Sequence, residues 1–154
     1  MDRLKGKVAI ITGGNSGVGE ATAKMFAKEG ATVVITARRE AALEKVAEEI
    51  KAAGGEVFAV STDISKKGDP ERLMDLVIEK YGKVDILVNN AGILEEGLKP
   101  IDRFSDEDLD RIVETNEKGT MRCMRAASQK MQAGASIVNV ASIAGVKDVA
   151  ELLM

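Results

Sequence analysis

Thr12-Gly13-Gly14-Asn15-Ser16-Gly17-Val18-Gly19 lies between the apolar run Val8-Ala9-Ile10-Ile11 and an amphipathic stretch from Glu20 to Lys28. A short apolar run, a glycine-rich turn and a helical pattern read as strand, turn and helix. Glycines permit the tight turn and let a phosphate approach the backbone closely. The free N–H groups and positive end of the following helix then face that phosphate. Such a turn at the head of an alternating strand–helix chain predicts an α/β fold and a dinucleotide site.

The alternation continues along the chain. Apolar, β-branched runs predict strands at 8–11, 32–36, 57–61, 84–88 and 137–140. Helical patterns fill the spaces between them. The first, at 17–29, stops at Gly30. The second, at 40–53, aligns Leu43, Val46, Ala47 and Ile50 on one face and ends at Gly54-Gly55. The third opens with Pro70 and runs to Tyr81, with Leu73, Leu76 and Val77 inward. A fourth starts near Ser105, where Ser105 and Asp108 form a capping-box pattern, and runs to Met131 with a bend at Gly119. Nearly all-apolar strands are buried on both faces of a parallel sheet. Right-handed crossovers then give a doubly wound sheet in the order 3-2-1-4-5. The expected organisation is one domain over 1–154, with a tail at 145–154 whose Val146, Val149, Leu152 and Leu153 make an apolar helical face.

Composition narrows the function classes. A net charge of −3 provides no basic footprint for nucleic acid. No apolar run reaches membrane-spanning length, and no signal peptide precedes the first strand, so the expected location is the cytoplasm. The sole cysteine, Cys123, allows no internal disulfide, fits a reducing compartment and reads as a small core residue. Met121, Met124 and Met131 read as adaptable packing. Without histidine there is no Ser-His-Asp triad, and no metal site is expected.

Ligands of open parallel sheets sit outside the carboxyl ends of the strands. Five strand ends carry small or polar residues: Thr12 to Gly19; Ala37, Arg38 and Arg39; Asp63 and Ile64; Asn89, Asn90, Ala91 and Gly92; Ala141 and Ser142. Turn chemistry accounts for any one of them and less well for the set. Bland readings stay open for single residues: an Asx-type turn for Asp63, an ordinary strand-end hydroxyl for Ser142, a surface amide for Asn116.

Taken together, Thr12-Gly13-x-x-x-Gly17-x-Gly19, Asp63, Asn89-Asn90-Ala91-Gly92, Asn116 and Ser142 resemble the classical short-chain dehydrogenase/reductase family, in the family's order. The resemblance implies a cofactor site comprising Thr12, Gly13, Asn15, Ser16, Gly17, Val18, Gly19, Ala37, Arg38, Arg39, Asp63, Ile64, Asn89, Asn90, Ala91 and Gly92. It implies that the glycine turn holds the pyrophosphate and that Asp63 meets the adenine. It makes Asn116 and Ser142 the catalytic candidates, Asn116 supporting a relay water and Ser142 bonding the substrate oxygen. The family's catalytic tyrosine and lysine would fall at or beyond Met154, so the expected catalytic set is incomplete and the family's later strands are absent.

An acidic residue that would bind ribose hydroxyls is replaced by Ala37, with Arg38 and Arg39 following. An arginine can bind a 2′-phosphate bidentately, so NADP(H) is expected over NAD(H). The implied activity is hydride transfer between NADP(H) and a small carbonyl or alcohol substrate. The alternatives are an inactive dinucleotide-binding module and a truncated or redesigned structural variant. A fifth strand at the sheet edge predicts association, most simply as a two-fold homodimer with that strand, the preceding helix or the tail at its interface.

Overall fold

The computed structural model describes residues 2–94 and 100–143; the tail at 145–154 lies outside them. The described elements are β1 (Val8–Thr12), α1 (Gly17–Lys28), β2 (Thr32–Ala37), α2 (Glu40–Ala52), β3 (Glu56–Ser61), α3 (Asp69–Tyr81), β4 (Ile86–Asn89), α4 (Asp106–Ile112), α5 (Thr120–Ser128) and β5 (Ser136–Asn139). A 3₁₀ turn, Ile101–Arg103, precedes α4, and a π-helical segment, Val113–Gly119, joins α4 to α5. All neighbouring strands are parallel, and the sheet order is β3-β2-β1-β4-β5, as the alternation predicts.

The central strands β1, β2 and β4 are buried for the reason their composition suggests, whereas β5, expected to be buried like them, is exposed at every position because it lies at the sheet edge with a neighbour on one side only. Ala9, Ile10 and Ile11 have no exposed surface, because β1 lies between β2 and β4 with helices on both faces. Alternate residues feed two cores. Ile10, Val34 and Leu87 pack with Leu73, Met74 and Val77 of α3 and with Cys123, Ala126 and Ala127 of α5. Ile11, Val33 and Ile35 pack on the other face with Ala23 of α1 and with Leu43, Val46, Ala47 and Ile50 of α2. Cys123 is thus a core residue, and burial pushes its thiol up to about 12.

Three expectations shift. The fourth strand begins at Ile86 rather than at 84. Asp85 does the pairing that a strand residue would do: its N–H donates to Val8 O at 2.9 Å, and its Oδ2 accepts from Val8 N at 2.8 Å. The fourth helix is a capped α4 followed by a π-helical segment, not one α-helix bent at Gly119. Gly119 lies so close to the loop after β3 that a Cβ there would sit 2.9 Å from Ile64 Cγ1 and 3.0 Å from Ile64 O. The helix therefore accommodates a tight crossing through an expanded turn, a device frequent at functional sites. It also ends at Ser128 rather than near Met131, since the N–H groups of Lys130 and Met131 both turn back to Ala127 O.

The Asp85 arrangement makes a stability prediction. Desolvation works to raise its carboxyl, but the Val8 N–H bond and the Lys83 and Lys7 ammonium groups outweigh it and hold the pKa below the ordinary value. Asp85→Ala orphans the Val8 N–H and is expected to cost about 1–3 kcal/mol at pH 7. A depressed carboxylate contributes fully above its unfolded value, about 3.9, and its contribution fades as pH falls through the folded value. Urea unfolding at pH 7 and pH 3 should show the gap between wild type and variant narrowing in acid. Equal stability at pH 7 would refute this role for Asp85.

Candidate functional site

The carboxyl ends of β1 to β4 open into a cleft of about 440 Å³. Its walls are Gly13, Asn15 and Ser16 after β1; Thr36, Ala37, Arg38 and Arg39 at the end of β2; Thr62, Asp63 and Ile64 after β3; and Asn90, Ala91, Gly92 and Ile93 after β4. Thr115 of the π-helical segment completes the lining.

The glycine turn is built for close backbone approach. Gly13 has φ +68°, and its N–H donates to Thr36 O at 2.7 Å. Asn90 stitches this turn to the far side of the cleft, donating through Nδ2 to Thr12 O at 3.1 Å and Gly13 O at 3.4 Å. Thr12 returns the link: its Oγ1 accepts from the N–H groups of Asn90 and Ala91, each at 3.0 Å. Ser16 occupies the N-cap of α1 without a side-chain capping bond, which leaves first-turn N–H groups for an anion.

Other walls are equally specific. Asp63 Oδ1 accepts from Ser65 N at 3.1 Å and Ser65 Oγ at 2.6 Å, while its own N–H donates to Asp69 Oδ2 at 3.0 Å. Asp63 thus forms the Asx turn and also lines the cleft. Arg38 and Arg39 are exposed at the rim, and neither has an ion pair with a described residue. Beside them a smaller recess of about 200 Å³ is lined by Arg38, Ser61, Thr62, Asp63, Lys66 and Asp69. The Thr36 and Thr62 hydroxyls are buried without a partner among the described residues.

Not every expected residue faces the cleft. Asn89 is 3% exposed and turns into the sheet, where its Nδ2 donates to Asn139 Oδ1 of β5 at 2.9 Å. Thr12 and Gly19 are buried beneath the turn, and Gly17 and the 64%-exposed Val18 lie outside the lining. Asn116 is also outside it. Its Oδ1 accepts from Ile93 N at 2.8 Å and its Nδ2 donates to Ile93 O at 2.7 Å, so the amide pins the segment after β4. Ser142 follows β5, the edge strand of the sheet, is exposed, and is not among the lining residues. Four lining residues escaped the sequence reading: Thr36, Thr62, Ile93 and Thr115. The first three flank strand-end residues that were recognised; Thr115 had no signal, because only the π-helical turn brings it to the cleft.

No described helix is long and apolar enough to cross a membrane, and no cluster of three metal-ligating side chains occurs among the described residues.

Residues 7–154 match the family model described as short chain dehydrogenase. The chain is 39% identical over 146 residues to an uncharacterized oxidoreductase of Listeria innocua, covering 94% of this chain and 58% of that protein. It is 36% identical over 146 residues to a 3-oxoacyl-[acyl-carrier-protein] reductase of Thermotoga maritima, covering the same shares of each. A short chain dehydrogenase from Burkholderia cenocepacia, solved in complex with NADP, superposes with a TM-score of 0.87 at 35% identity, over 95% of this chain and 60% of that one. The chain thus spans 58% of the length of these two curated relatives.

Proposed function

The chain belongs to the short-chain dehydrogenase/reductase family, and on that premise we propose that its cleft binds a nicotinamide dinucleotide with NADP(H) preferred over NAD(H). The observation that carries this reading is the cleft itself. A glycine turn and an open helix N-terminus stand at one side, and two arginines without ion pairs to described residues stand at the rim. The residues fit the group. A Cβ at Gly13 would sit 2.9 Å from Asn90 Nδ2, so the turn keeps its backbone bare. The orphaned hydroxyls of Thr36 and Thr62 offer buried polarity at the β2 and β3 walls.

In this reading Gly13, Asn15, Ser16 and the first turn of α1 hold the pyrophosphate. Asp63 and Ile64 flank the adenine. Arg38 and Arg39 take the 2′-phosphate, and Ala37 leaves it room. Asn90, Ala91, Gly92 and Ile93 line the nicotinamide side. Gly17, Val18 and Gly19 supply the first-turn N–H groups of α1, and Thr12 and Asn89 shape the turn and sheet that support these contacts. The bound dinucleotide supplies or accepts a hydride, and the whole protein acts on a carbonyl or alcohol whose oxygen meets Ser142. Asn116, held by Ile93, fixes the floor of that region.

Calorimetry with NADPH and NADH tests the preference. NADPH is expected to bind more tightly, and Arg38→Ala should weaken NADPH more than NADH, by about tenfold if one bidentate charge-assisted contact is lost. Equal affinities, or tighter NADH, would sink it. A binding module without turnover is the second reading, favoured by the commitment of both Asn116 amide groups to Ile93.

The same chain is proposed to form a homodimer through β5. Val138 and Val140 on this edge are 48% and 46% exposed, and an apolar edge strand is a template for association. Light scattering at micromolar concentration should report a dimer; a strict monomer would count against it.

A further inference from the structure

We propose that Arg122 is a positioning residue that sets the spacing between two opposite walls of the cleft, an inference that rests on the dinucleotide reading above. Its side chain is only 11% exposed, an unusual state for a guanidinium unless it is fully engaged. Nη1 donates to Ser65 O at 2.8 Å, and Nη2 pairs with Glu114 Oε1. Glu114 is itself held by Lys118 at 2.9 Å.

The two ends of this bridge belong to different walls. Ser65 closes the loop that places Thr62, Asp63 and Ile64 in the cleft. Glu114 is the second residue of the π-helical segment that carries Thr115 into the cleft and Asn116 onto Ile93. Ile64 rests against bare Gly119 between them. The loop does not need Arg122 for its own shape, because Asp63 holds Ser65 and Asp69 within it. What Arg122 adds is the placement of that loop relative to the helix. A planar, forked guanidinium suits two simultaneous, divergent contacts in a way that an ammonium does not.

A ligand that touches both walls should feel this spacing; a ligand confined to one should feel it little. Calorimetry with NADPH and with 2′,5′-ADP separates the two, at a temperature where circular dichroism shows each protein folded. Arg122→Met is expected to weaken NADPH about tenfold and 2′,5′-ADP only about twofold. Arg122→Lys should restore little, since it keeps the charge and loses the fork. Should Arg122→Met fail to fold, Glu114→Gln carries the test, because Glu114 lies nearer the surface and its replacement should give the same larger loss for NADPH.

A folded variant with unchanged NADPH affinity overturns the inference, as does an equal loss for both ligands, which would confine Arg122 to the Ser65 loop. A purely structural ion pair would lower the melting temperature and leave both affinities alone. Failure of the unmodified chain to bind either ligand would overturn the dinucleotide reading itself; binding by wild type with unaltered variants sinks only the role of Arg122.

Discussion

Replacing Gly19 by alanine is expected to destabilise the fold by about 3 kcal/mol or more and to abolish dinucleotide binding with it. The added methyl would stand 2.2 Å from Gly13 O and 2.5 Å from Asn90 Nδ2. The first is backbone in the phosphate-side turn, and the second is the amide that stitches the turn to the segment after β4. Neither can swing aside as a flexible side-chain tip can, so either α1 withdraws or the turn opens. For a chain of this size the loss corresponds to a fall of roughly 6–12 °C in melting temperature. Gly54 supplies the comparison. It has φ +83° with nothing within 4 Å of a would-be Cβ, so Gly54→Ala should cost only the left-handed strain of about 1–2 kcal/mol. Thermal unfolding of both variants decides the matter; a Gly19→Ala protein as stable as wild type would show that the turn relaxes freely.

Carbonyl reduction by the 154-residue chain is expected to run about 10²–10⁴-fold below that of an enzyme with a positioned general acid. The reaction needs a proton on the carbonyl oxygen as hydride arrives. Ser142 is an aliphatic hydroxyl, and no histidine exists to activate it. The sole tyrosine, Tyr81, ends α3, and its ring packs edge-on against Phe58 of β3 with centroids 6.3 Å apart. It is not a cleft residue, and burial followed by the nearby Glu56 carboxylate raises its phenol above the ordinary value, the wrong direction for a proton donor. The absorbance of NADPH with a simple ketone measures the rate. Robust turnover abolished by Ser142→Ala would overturn the expectation.

Sequence by itself determined the features written in local pattern. Buried strands declare themselves through uninterrupted β-branched runs, and β1, β2 and β3 fall within about one residue of the expected bounds. Handedness then leaves few ways to order parallel strands, and 3-2-1-4-5 is the order observed. Pro70 near the start of α3 and the Ser105/Asp108 box are equally local, because a cap is satisfied within four residues. The glycine turn marked the cleft for the same reason. Only the tertiary structure decided how neighbouring residues divide their work. Asn89 and Asn90 are adjacent in sequence, yet one bonds Asn139 inside the sheet and the other ties the glycine turn, because successive strand side chains point to opposite faces and only the neighbours settle what each meets. Asp85 took over the pairing at the start of β4 because Val8 and two lysines surround it. The π-helical turn has no sequence signature of its own. It arises where the helix must pass the Ile64 loop at Gly119, and it alone brings Thr115 to the cleft and Asn116 to Ile93, a geometry set by contacts between segments far apart in the sequence.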